Sequence, residues 1–73
     1  MTKEQIIKYI QEEWLEAVKQ YEEYNKKASE EMDNALASDD DFAKYDYYMS
    51  QVRYYQGRRD AFRYSLKMLE ALD

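Results

Sequence analysis

Histidine and cysteine are both absent from this chain. With them go the commonest general base, the thiol nucleophile and the usual zinc ligands. No disulfide can form, which by itself says nothing about compartment. The di-iron signature of helical bundles needs a histidine one turn from a glutamate, so it is excluded too. Proline is also missing and glycine occurs once, at Gly57, which leaves little material for loops, hairpin turns and sheets. One glycine cannot build a phosphate-cradling loop. Long apolar runs are lacking as well: Ile6, Ile7 and Ile10 are interrupted by Lys8 and Tyr9, and nothing approaches the ~20 apolar residues of a membrane span. No catalytic residue, cofactor or metal is expected, no membrane association, and the default setting is the cytosol.

What remains is helix-forming and charged. Seventy-three residues make one domain at most, near the lower size at which a chain folds alone. Apolar residues make up 45% and charged ones 37%, too much apolar content for a disordered chain. The net charge of −5 argues against sequence-independent binding to DNA, RNA or anionic lipid.

Thr2-Lys3-Glu4-Gln5 reads as a capping box, with Met1 and Ile6 placed as a hydrophobic staple. The first helix then runs on Ile7, Ile10, Trp14, Val18, Tyr21, Ala28, Met32 and Ala35/Leu36, with Asn25 the one polar member of the row. Glu4–Lys8, Glu22–Lys26 and Glu23–Lys27 are i,i+4 pairs in the favourable order. A break follows between Asn34 and Asp41. Ser38 is suited to be an N-cap, and Asp39, Asp40 and Asp41 would oppose the positive end of a new helix dipole. The expectation is an all-α antiparallel hairpin: helix 1 over about 3–35, a turn over about 36–39 and helix 2 over about 40–72. Each arm is then about 33 residues, or ~50 Å.

Helix 2 dominates the reading. Residues 45–72 hold six of the nine tyrosines, every arginine and the glycine. One apolar row passes through Tyr45, Tyr48, Val52, Tyr55, Phe62, Leu66 and Leu69, and a second through Tyr47, Ser50, Tyr54, Gly57, Ala61, Tyr64, Met68 and Leu72. A single neighbouring helix covers only one of them. Self-association of two hairpins into an antiparallel four-helix bundle, a homodimer with coiled-coil-like packing, is therefore expected. Residue numbering across the turn sets Trp14 opposite Ala61 with Gly57 one turn away, so the indole is expected to nest on that small-residue step. The same register brings Arg53 towards Glu22/Glu23, Arg59 towards Glu16 and Arg63 towards Glu12/Glu13.

Candidate sites follow from this layout. Glu12, Glu13 and Glu16 read as a solvated face rather than an acid–base or metal cluster, and Ser38 to Asp41 lack the ligand pattern of a calcium loop. Tyrosine suits a partly wet contact surface better than a dry core, because each buried phenol needs a partner for its hydroxyl. Tyr47, Tyr48, Tyr54, Tyr55, Tyr64 and Arg58 are the residues expected to bind a partner protein. Arginines interleaved with Tyr54, Tyr55 and Tyr64 also resemble a stacking-plus-phosphate surface, which keeps a nucleotide-binding helical oligomer as one alternative. Acidic rows such as Glu12/Glu16/Glu23 and Glu30/Glu31/Asp33, with Asp39 to Asp41, raise a second: mimicry of a phosphate backbone.

The segment Tyr54-Tyr55-Gln56-Gly57-Arg58-Arg59-Asp60-Ala61-Phe62, followed by Leu66 and Leu69, resembles the closing helix of short two-helix proteins encoded by phages and mobile elements. The resemblance covers residues 54–69 and transfers no active residues. It implies a host-cell cytosolic setting and an inhibitor of a bacterial nucleic-acid enzyme or defence nuclease, anti-CRISPR-like, acting by acidic mimicry. The leading expectation remains a non-enzymatic, self-associating hairpin that binds another protein through its tyrosine-rich surface, without direct contact to nucleic acid.

Overall fold

The computed structural model describes residues 1–38 and 42–72. Two helices make it up, α1 over Lys3–Ser38 and α2 over Ala43–Glu70. They pack antiparallel along their lengths into a rod of 57 × 14 × 14 Å. At the open end the Lys3 ammonium donates to the Leu72 carbonyl oxygen.

The start of α1 is the expected capping box. The Gln5 amide donates to Thr2 Oγ1 at 3.1 Å, and the Thr2 amide donates to Gln5 Oε1 at 2.9 Å. Two amides that precede the helical ladder are thereby satisfied.

The turn is shifted. α1 extends to Ser38, its last residue, so Ser38 is not at the N-cap position of α2. That position falls to Phe42, which offers no side-chain acceptor. Asp39, Asp40 and Asp41 lie outside the described residues, and α2 carries Asp46 in its first turn.

The core is narrow. Ala17, Ala28, Ala35 and Val52 are buried, and around them Ile6, Ile7, Ile10, Trp14, Val18, Tyr21, Tyr24 and Met32 are half-buried. Tyr24, not Asn25, is the inward member of the α1 row, and Leu36 is exposed. Three of the four buried residues are alanines of α1. Small side chains of this kind let two helices approach closely.

Surface pairing differs from expectation. Among the described residues the ion pairs are Arg58–Glu13 at 3.6 Å and Arg59–Asp60 at 3.1 Å. The i,i+4 pairs of α1 are not closed, nor are those foreseen for Arg53, Arg59 and Arg63 with the glutamates. Lys27 instead sits over the rings of Tyr24 and Tyr48, at 5.1 and 5.9 Å, and Arg59 over Tyr21 at 4.6 Å. At an exposed site a cation gains about as much from a ring face as from a carboxylate.

Candidate protein-binding surface

Two rows on α2 were available to face α1, and the sizes of the α1 side chains decide between them. The row Tyr45, Tyr48, Val52, Tyr55, Phe62, Leu66, Leu69 is turned inward, each member buried or half-buried. Tyr55 stacks on Tyr24 with ring centroids 5.7 Å apart and planes 10° from parallel, and Tyr48 approaches the same ring at 6.1 Å. Ala17 lies with Tyr55 along one groove of the seam, and Ala28 with Tyr45 and Met49 along another. Tyr24 of α1 thus carries the rings of Tyr48 and Tyr55, while Ala17 and Ala28 line the grooves beside them.

The expected nest of Trp14 on Gly57 and Ala61 is therefore not formed. Gly57 and Ala61 are exposed, and a Cβ built on Gly57 would meet nothing within 4 Å. Trp14 stays on the α1 side of the seam, half-buried, and its Nε1 is buried with no acceptor.

The second row is left on the outside. Tyr47, Ser50, Tyr54, Gly57, Ala61, Tyr64 and Met68 are all exposed, and Ala71 rather than the expected Leu72, itself exposed, continues the row. Their spacing alternates three and four residues without a break, a heptad repeat with a period of ~3.5. The large members are well out in solvent: Tyr47 55%, Tyr54 54%, Tyr64 65% and Met68 52%. No charged residue interrupts the row. Charges stand on one flank instead, Asp46, Arg53, Asp60 and Lys67, each seven residues from the next.

The six residues expected to bind a partner are thus divided by the fold. Tyr47, Tyr54 and Tyr64 share the outward row, whereas Tyr48 and Tyr55 belong to the seam. The two sets touch at their border: Tyr47 meets Tyr48 edge-on at 5.4 Å, and Tyr54 meets Tyr55 at 4.9 Å. The half-buried rings of the seam brace the exposed ones. Arg58 sits at the same border, paired with Glu13, 5.1 Å from the Phe62 ring and 5.7 Å from the Tyr54 ring, with Nη1 donating to Tyr54 Oη at 3.4 Å. Ser50 and Met68 lie on the surface without having been singled out as binding residues; the unbroken spacing was the signal for both.

The electrostatics of the groove beneath Tyr54 and Tyr55 weigh against an anionic ligand. Glu13 and Glu16 line it together with Arg58, whose guanidinium is already held by Glu13. A phosphate placed there would face two carboxylates with one committed cation. Among the described residues no three His, Cys, Asp or Glu side chains converge as metal ligands, and no helix is long and apolar enough to cross a membrane. Comparisons with protein-family models, with curated proteins and with solved structures gave no match.

Proposed function

We propose that this chain is a non-enzymatic protein-binding module: a helical strut whose outward α2 face is a protein-contact surface, serving self-association. One observation carries the reading, the exposed and uncharged row from Tyr47 to Ala71 at unbroken heptad spacing. Such spacing is what keeps an apolar seam facing a partner helix over several turns. Nothing within a two-helix hairpin calls for it twice on one helix. Tyrosine also fits the task, since its ring supplies contact area at low entropic cost while its hydroxyl tolerates a wet rim.

Sedimentation equilibrium at micromolar to 100 μM concentrations tests the self-association. The wild-type chain is expected to exceed its 9.0 kDa monomer mass. Replacing Tyr54 and Tyr64 with lysine is expected to return it to monomer with helicity unchanged, because both rings are outside the seam. A wild-type chain that stays at 9.0 kDa throughout removes self-association.

A further inference from the structure

The flank of the outward row has a pattern that the row alone does not explain. Asp46, Arg53, Asp60 and Lys67 occupy one heptad position and read acid, base, acid, base. All four are exposed, and Asp46, Arg53 and Lys67 have no ion-pair partner among the described residues. Asp60 is bound only to its chain neighbour Arg59. Alternation on a single flank is self-complementary when the helix meets a reversed copy of itself, because in antiparallel coiled coils like flanks face each other.

We infer that the outward face of α2 pairs with α2 of a second copy, antiparallel, about a two-fold axis lying between Tyr55 and Gln56. This rests on the reading of that face as a binding surface and specifies its occupant. In this register Arg53 meets Asp60 of the second copy, and Asp46 meets its Lys67. By symmetry each pair occurs twice. Along the seam Tyr54 lies over the second copy's Gly57, Ser50 against its Ala61, and Tyr47 against its Tyr64. Gly57 thereby gains a reason to be glycine that the hairpin does not provide.

The competing arrangements are penalised by the same four residues. Sliding the antiparallel pair by one heptad in one direction sets Arg53 against Arg53 and Asp46 against Asp60. Sliding it in the other sets Asp60 against Asp60 and Arg53 against Lys67. A parallel, in-register pair brings Arg53 beside Arg58. Each of these alternatives juxtaposes like charges twice or on the axis, longer slides leave some of the four residues unpaired, and only the chosen register pairs all four with opposite charge.

Charge reversal and swap test it, read by sedimentation equilibrium at low ionic strength. Arg53→Asp and Asp60→Arg are each expected to raise the dimer dissociation constant roughly tenfold, since each turns two attractive contacts into repulsive ones. The double swap is expected to bring it back to within about threefold of wild type. Residues 53 and 60 are two helical turns apart on one chain, ~10 Å, so restoration has to come from the second copy. Circular dichroism of each variant confirms that the helices are intact. If the wild type associates but the single reversals leave the constant unchanged, or the double swap fails to restore it, the register is wrong while the binding face stands. If the wild type never associates, the register and self-association fall together, and the face is left only as a surface for a different protein. As a positive geometric check, the chain's lack of native cysteine makes a mixture of Tyr47→Cys and Tyr64→Cys informative. Oxidation should link the two variants to each other and neither to itself, and self-linking of either one overturns the arrangement.

Discussion

Gly57 and Trp14 are the two residues whose local cost is visible. A glycine inside an exposed helix costs about 1 kcal/mol relative to alanine, and here nothing within the hairpin would obstruct the added methyl. Gly57→Ala should therefore stabilise the monomer, raising the melting midpoint by roughly 4–8 °C at the lowest usable concentration. At high concentration the gain should shrink or reverse, as the methyl meets Tyr54 of the second copy. Melts followed by circular dichroism at both ends of the concentration range check this; an equal gain at both would leave the glycine unexplained. Trp14 has the opposite balance. Its Nε1 is a buried donor without an acceptor, a burden of about 1–3 kcal/mol. Trp14→Phe should thus be close to neutral in urea unfolding despite its smaller ring, whereas Trp14→Ala should lose roughly 2–3 kcal/mol for a half-buried indole. Sequence alone gave the opposite view of this pair, because a bulky indole and a lone glycine at matching heights look like knob and hole. Height along a hairpin is legible from numbering, but the rotation of each helix about its axis is not.

At the level of the helices, the sequence was informative wherever the cause is local. The capping box at Thr2–Gln5 forms as its residues dictate, and Thr2→Ala should cost about 1 kcal/mol. Hydrogen exchange should show that loss as faster exchange in the first turn of α1, with α2 amides changed only as far as global stability falls. The hairpin itself was legible from two helical patterns separated by one break. The exact end of α1 was not, since Ser38 suits an N-cap by type but is incorporated as one more helical residue. Helix propensity and capping differ by only a few tenths of a kcal/mol to about one, too little to fix a terminus. The choice between the two faces of α2 was the larger gap. Both rows repeat at heptad spacing and both carry tyrosine, but the inner one adds Val52, Phe62, Leu66 and Leu69 where the outer one has serine, glycine and alanine, so hydropathy does favour it; the match in height between Trp14 and Gly57 pointed the other way. The alanines at 17, 28 and 35 are the buried α1 side of that seam; of them only Ala17 had been left out of the expected α1 row, and Tyr24 joins the row on its inward side.

For the whole molecule, shape sets the terms of stability. A rod 57 Å long and 14 Å across has little interior, and only four described residues are buried. Chains of this size rarely gain enough from one seam to offset the entropy of ordering two long helices. Covering the outward row of α2 with a second hairpin would add a comparable seam, so folding and association should be linked. The melting midpoint is then expected to climb with protein concentration, each tenfold step being worth about 1.4 kcal/mol per mole of dimer. Salt divides the contributions further. The tyrosine row is uncharged and should persist, while the flanking pairs are exposed and screened, so raising salt to about 0.5 M should weaken the dimer by no more than roughly tenfold. A steeper dependence would mean that charge, not the ring-lined seam, holds the copies together. A midpoint indifferent to concentration would mean that each slender hairpin is stable with its second seam facing water.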